Sequence, residues 1–243
     1  MFTGIPKTGC TNWKILLLEL EGALDSGWRK RLEKNPPLVH TGISHPYRLP
    51  QYWKWEGRYD ERIKRATSLV VLRNPWVRAV SAFLQKLSGE KDQRGLEHKT
   101  DLPGLQKNIV NSLRGGWKEG DHPTFEEFIR YSIQENGISN IHFKPQIQYL
   151  DINTVRYNLV IPLEHIDKIA PQIFQSLSLE GSLMPSYDSR SDARNQSSAT
   201  ETRELFSSLD DDLVEKFYEI YKYDFQLLNY SNFTDPDFPF PKL

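Results

Sequence analysis

Near the start of the chain a lysine, two threonines, a cysteine and an asparagine crowd around one glycine: Lys7-Thr8-Gly9-Cys10-Thr11-Asn12. Met1, Phe2 and Ile5 before it suit a short buried strand. Pro6 ends that strand, because proline has no N–H to give to a ladder. Gly9 permits a backbone turn that other residues resist. From Thr11 the pattern turns helical, with Trp13, Leu16, Leu17, Leu20 and Leu24 on one apolar stripe. A strand–loop–helix entry aims the helix's first N–H groups at whatever lies above it. That end carries about half a positive charge and favours anions, phosphate above all. Lys7 adds a full charge. The spacing is not GxxxxGK[ST], since lysine here precedes glycine. An ordinary capped strand–helix turn remains the alternative reading of this loop taken alone.

A second anion site is readable further on. Thr67–Leu72 (TSLVVL) is a buried-strand run of the parallel-sheet type. Arg73 follows at its carboxyl end, where α/β folds place ligands. Asn74 suits a helix cap and Pro75 the first helical position. Trp76, Val80, Phe83, Leu84 and Leu87 form the predicted apolar face, with Arg78, Ser81, Gln85 and Lys86 off it. Arg73 alone would fit a surface ion pair. Ser81 eight residues on, and the first loop, favour a second phosphate contact. A third candidate is His142, in Ile141-His142-Phe143-Lys144-Pro145-Gln146, although a lone histidine taken by itself is more often structural. An imidazole, with an ordinary pKa of about 6.5, can accept a proton at neutral pH.

These segments carry a resemblance. IPKTGCTNWK resembles the 5′-phosphosulfate-binding loop of the Golgi carbohydrate sulfotransferases, the family of the chondroitin and dermatan 4-O- and HNK-1 enzymes. RNPWVRAVSAF is similar to the family's 3′-phosphate segment RDPxxRxxSxF. There Arg73 and Ser81 match the residues that hold the 3′-phosphate, Arg78 matches the second arginine, and Asn74 departs from the usual aspartate. HFKPQ resembles the motif HWxPQ, with Phe143 in place of tryptophan and His142 at the candidate base. Glu164 matches a family glutamate at a strand end. The family's cysteines just after this point are absent, since Gln148-Tyr149-Leu150-Asp151 follows.

The resemblance implies a sulfotransferase using 3′-phosphoadenosine 5′-phosphosulfate (PAPS) and no metal, transferring to a carbohydrate hydroxyl with His142 as base. Lys7 would neutralise charge on the departing phosphate oxygen, and the loop from Lys7 to Asn12 would hold the 5′-phosphosulfate. Ser182–Thr200 reads as a loop, and in related enzymes a loop here closes over the nucleotide, which makes Arg190 and Arg194 candidate contacts. A small-molecule hydroxyl or amine acceptor is the alternative. A P-loop kinase and a non-catalytic nucleotide or glycan binder are the rival classes.

The elements that must position these groups fit one α/β domain over residues 1–243. A mainly parallel central sheet flanked by helices, P-loop-like as in sulfotransferases, is the expected architecture. Segments 25–60 and 89–122 read as substrate-side insertions, and 232–243 as an extended tail. The first insertion holds Tyr47, Tyr52, Trp53, Trp55 and Tyr59, which suit core packing or a sugar-stacking surface. It also holds His40 and His45, with no carboxylate or cysteine at ligand spacing to make a metal site. Leu105–Leu113 is a candidate short helix. Thr124 and Glu127 form a capping box ahead of Phe125, Phe128, Ile129 and Ile133, and Gly137 stops that helix. Val155–Leu163 reads as a strand. Ile166, Ile169, Ile173, Phe174 and Leu177 mark a helix that Pro171 either bends or begins. Ser208 is the expected cap of the last long helix, with Asp210, Asp211 and Asp212 in its first turn. Leu209, Leu213, Phe217, Ile220 and Tyr221 form its core face.

Bulk properties exclude other classes. The formal charge of −1 gives no basic excess, so nucleic acid is not an expected partner. The one cysteine, Cys10, excludes an intramolecular disulfide and a cysteine-based zinc site. Its place at a helix N-terminus could lower the thiol pKa, although a small residue fitting a crowded turn explains it more simply. No run of eighteen apolar residues spans a membrane. No signal peptide precedes the first strand, and three glycosylation triplets, at Asn195, Asn229 and Asn232, are weak pointers to a secretory route. A complete chain would read as cytoplasmic, and a catalytic domain cut from a longer one as lumenal in the Golgi. Oligomeric state is not legible.

Overall fold

The computed structural model describes residues 2–20, 27, 30–32, 39, 67–89, 102–150, 152–153, 155–176 and 191–241. Three parallel strands, β1 (Phe2–Thr3), β2 (Leu69–Leu72) and β3 (Leu159–Pro162), form a sheet in the order β1-β2-β3. Seven α-helices accompany them among the described longer elements. They are α1 (Cys10–Leu20), α2 (Pro75–Lys86), α3 (Pro103–Leu113), α4 (Phe125–Gln134), α5 (Ile166–Ser176), α6 (Ser191–Ser207) and α7 (Asp211–Leu227). The chain is thus α/β with a small parallel sheet. Contacts group it into two compact units, Met1–Leu72 with Tyr149–Ser191, and Arg73–Gln148 with Asp192–Leu243.

The first unit contains the sheet. β2 is buried at all four residues, as its unbroken apolar run requires of a central strand. The strands are shorter than the apolar runs suggest, for local reasons. Ser68 gives its N–H to the Asn158 side chain at 2.8 Å and its hydroxyl to the Arg156 carbonyl, while its own carbonyl accepts from the Asn158 and Leu159 N–H groups at 2.9 and 3.0 Å, so a mixed pairing of side chain and main chain precedes the regular ladder of β2 and β3. Ile5 is fully buried yet lies beyond β1. The core joins Trp13 and Leu16 of α1 to Leu69, Val71 and Ile161 of the sheet and Ile166, Ala170, Ile173 and Phe174 of α5. Leu18, off the predicted stripe of α1, is also buried, so α1 is covered on more than one face. Pro171 lies inside α5, not at its start.

The second unit is helical around an aromatic core. Trp76 of α2 has ring neighbours at Phe206 (4.6 Å), Phe225 (4.9 Å), Phe233 (5.3 Å) and Phe217 (5.8 Å). Two of the three cap expectations hold. The Asn74 side chain accepts from the Trp76 N–H at 3.0 Å, with Pro75 opening the helix. Thr124 and Glu127 exchange the two bonds of a capping box, at 3.2 and 2.8 Å. Arg114, at the end of α3, pairs with Glu127 at 2.5 Å and so ties α3 to that box.

Several sequence expectations fail here. Ser191–Thr200, read as loop, is the first part of α6. Ala199, Thr202 and Phe206 are buried along one face, and a helix nucleated there extends back through polar residues at little cost. Ser208 does not cap α7. Its hydroxyl closes α6 by donating to the Leu205 carbonyl at 2.8 Å, and Asp210 is the cap residue of α7. The tail is not extended: Tyr230 bridges Pro241, and Phe233 and Phe238 are buried. Arg78 and Lys86, off the predicted apolar stripe of α2, are both buried. Segment 25–60 and residues 182–190, with His40, His45 and Arg190, lie outside the described residues apart from 27, 30–32 and 39.

Candidate active site

In the first unit the candidate loop runs from β1 into α1. Gly9 has φ +73, and a Cβ there would stand 3.3 Å from Leu163, so both the turn and the close approach call for glycine. Lys7 also lies in the left-handed region, at φ 72. A lysine there costs roughly 1–2 kcal/mol relative to a relaxed backbone. Such outliers collect at functional sites. The Gly9 carbonyl accepts from Asn12 N–H at 3.1 Å and from Trp13 N–H at 3.3 Å, which winds the first turn of α1 directly behind the loop.

The side chains of the loop divide. Thr8 is fully buried and its hydroxyl donates to the Ile5 carbonyl at 2.9 Å, so that side chain serves the loop's own shape. Lys7, Gly9, Cys10 and Thr11 are half-buried, and Asn12 is exposed. Burial pushes the Cys10 thiol above its ordinary value, against the pull of Lys14 and Lys7. Burial thus opposes the lowering that the helix end would give. Lys14 is a cation the sequence reading left unassigned. It lies one helical turn after Cys10, close enough to act on it, and that spacing was the available signal. Beyond β3, Leu163 approaches Gly9 and the next residue, Glu164, is buried.

In the second unit Arg73 directly follows β2 and is half-buried. Its main chain is gripped from both sides by one side chain. Arg73 N–H donates to Gln146 Oε1 at 3.0 Å, and Gln146 Nε2 donates to the Arg73 carbonyl at 2.8 Å. Ser81 lies on α2, half-buried. Asn74 is fully buried, and its amide donates to the carbonyls of Ser231 (3.3 Å) and Pro239 (3.1 Å) while its oxygen caps α2. An aspartate could accept from Trp76 but could not make those two donations.

His142 is half-buried in a turn whose shape is set by its neighbours. Its N–H donates to Asn140 Oδ1 at 2.9 Å. Phe143 is buried against Phe128 at 5.1 Å, and its carbonyl accepts from Tyr221 Oη at 2.6 Å. The Lys144 carbonyl accepts from Arg78 Nη1 at 3.0 Å. Asp224 takes the N–H groups of Gln146 (2.6 Å) and Ile147 (2.8 Å), one on each carboxylate oxygen. Burial pushes its carboxyl above the usual range, while those two N–H groups and the Arg78 charge pull it down. Sequence reasoning missed Gln146, Asp224 and the inward role of Arg78. Only the family-like HFKPQ string pointed near them. Arg194 falls on α6. Among the described residues no group of histidine, cysteine and carboxylate side chains is arranged to hold a metal ion, and no helix is long and apolar enough to cross a membrane.

The chain is similar to carbohydrate sulfotransferase 12 of Mus musculus, 25% identical with 93% of this chain and 56% of that protein covered. Carbohydrate sulfotransferase 11 of Mus musculus is 25% identical, with 93% and 63% covered. Carbohydrate sulfotransferase 14 of Homo sapiens is 28% identical, with 72% and 43% covered. The chain thus spans between about half and two thirds of the length of the first two curated relatives. No solved structure matches it. The model of the family described as "Sulfotransferase family" matches residues 1–231, and the chain belongs to that family.

Proposed function

We propose that this chain transfers a sulfuryl group from PAPS to a carbohydrate hydroxyl by in-line displacement. The observation that carries the reading is the left-handed Lys7 beside Gly9 at the entrance to α1, in a chain of this family. Strain held on a lysine at a helix N-terminus suits a cation aimed at a bound anion. In this reading Lys7, the N–H groups from Thr8 to Thr11, the Asn12 side chain, and Lys14 hold the 5′-phosphosulfate. Lys7 meets the charge that grows on the departing phosphate oxygen. Arg73 and Ser81 bind the 3′-phosphate, with Arg194 as an outer contact. His142 takes the acceptor's proton as the sulfuryl group leaves the donor. Little covalent work falls to the protein, as in phosphoryl transfer, and positioning and charge stabilisation do the rest. The scheme calls on no metal. It also implies one P-loop-like sulfotransferase domain over 1–243, with 25–60 and 89–122 on the substrate side. A carbohydrate acceptor is supported by the relatives' names. A small hydroxyl or amine acceptor is the second reading, favoured by the cysteine-free segment after Gln146.

Adenosine 3′,5′-bisphosphate is expected to raise the melting temperature, without Mg²⁺. At a hundredfold excess over Kd the gain is about 2.7 kcal/mol. AMP, lacking the 3′-phosphate, should give much less. Equal shifts from the two would remove Arg73 and Ser81 from the site, and strict Mg²⁺ dependence would favour a kinase. Arg73→Ala should raise the donor KM more than it lowers kcat, since its contact exists in ground and transition states alike. Steady-state kinetics at varied PAPS checks this, and a pure kcat effect would move Arg73 to the sulfuryl group.

A further inference from the structure

We propose that Gln146 is a positioning residue for Arg73, and that it couples the donor-side arginine to the turn bearing His142. The inference rests on the donor reading above. Arg73 is the first residue past β2, where ladder pairing has stopped. There the Gln146 amide supplies the missing partners, accepting at 3.0 Å and donating at 2.8 Å to the two main-chain groups of the same residue. This two-sided grip fixes the orientation of both peptide planes around Arg73, and hence the direction in which its side chain departs. It engages only the main chain of Arg73, so the grip does not compete with a phosphate for the guanidinium. The primary amide both accepts and donates at this reach; an ionised glutamate lacks the donor, and methionine lacks both.

Gln146 is itself held. Its N–H and that of Ile147 fall on the two oxygens of Asp224, and both Gln146 and Asp224 are 1% exposed. The same turn is fixed through the carbonyls of Phe143 and Lys144, by Tyr221 and Arg78. Arg73 and His142, which sequence reading assigns to opposite partners of the reaction, are therefore referred to one rigid segment within the second unit. A misplacement of about 1 Å at such a site can cost 10²-fold in rate.

The test is a double-mutant cycle on adenosine 3′,5′-bisphosphate affinity, using wild type, Gln146→Met, Arg73→Ala and the pair. Methionine keeps the buried volume and removes both bonds. Gln146→Met should weaken binding by about 10-fold in the wild-type background. With Arg73 already removed it should weaken it by less than about 2-fold, because the clamp then has nothing to aim. Additive losses would make Gln146 merely structural and overturn the proposal. Amide hydrogen exchange on wild type gives a second measurement that needs no variant to fold. The Arg73 N–H should be protected although it lies outside the strand, and exchange at the open-chain rate would overturn the clamp. A wild-type protein that protects Arg73 but shows no affinity for the bisphosphate would instead sink the donor reading, and with it the purpose given to the clamp.

Discussion

His142→Ala is expected to lower kcat by about 10²–10⁴-fold and to remove the acidic limb of the pH–rate profile, while donor affinity is retained. The limb is the sharper half of this result. In the wild type, kcat should fall as pH drops through the imidazole's titration, because a protonated ring cannot accept the acceptor's proton. A histidine that only shaped its turn could also lower activity when removed, but would leave the limb in place. The turn's own architecture helps separate the cases. Its anchors are the carbonyls of Phe143 and Lys144 and the N–H groups of Gln146 and Ile147, none of which involve the ring. Truncating the ring should therefore leave the turn standing. Near-wild-type turnover in His142→Ala would make the residue structural and turn the search for a base to Glu164, or to His40 and His45.

Lys7→Ala should fail differently. Charge grows on the leaving oxygen only during transfer, so losing the lysine should cut kcat by about 10²–10³-fold and weaken bisphosphate binding only modestly. Backbone strain adds a second expectation. Alanine resists φ 72 as lysine does, so Lys7→Ala removes the charge without relieving the strain, whereas Lys7→Gly removes both. The glycine variant should thus be the more stable of the two and equally slow. Thermal melts beside single-turnover rates would check this pair. A Lys7→Gly variant that keeps wild-type turnover would show that the loop's shape, and not its cation, carries the rate.

Much of the scaffold could be read because its signals are local. Asn74-Pro75 and Thr124 with Glu127 each announce a helix start within a few residues, and the run before Arg73 announces a buried strand. Pairing across long sequence distance was not readable. Arg78 is off the apolar stripe of α2, which by periodicity means solvent, yet it is buried against a carbonyl 66 residues away. Asp224 falls on the core face of α7, three residues after Tyr221 and seven after Phe217, but nothing local names its two N–H partners, which are 77 and 78 residues distant. The start of α6 misled for the opposite reason. Its local composition is that of a loop, and burial at Ala199 and Phe206 overrode it. At the candidate site Gly9 advertised its left-handed backbone, but a lysine gives no such notice, so the strain at Lys7 was invisible. The Cys10 thiol followed burial, a tertiary effect, and not the helix end.

The amide of Asn74 bears on the order in which the chain can fold. One of its acceptors, the Pro239 carbonyl, comes 165 residues later, and the other, Ser231, comes 157 residues later. At a synthesis rate of about 5–20 residues per second, roughly eight seconds or more separate the emergence of this side chain from that of its partners. Over that interval the start of α2 can have its cap, which is local, but not its tether. The second unit is built from two stretches, with the intervening residues assigned to the first, so its closure waits on long-range contacts that are slow to form. The segment next to Arg73 is thus among the first parts of the described chain to be made and among the last to be secured.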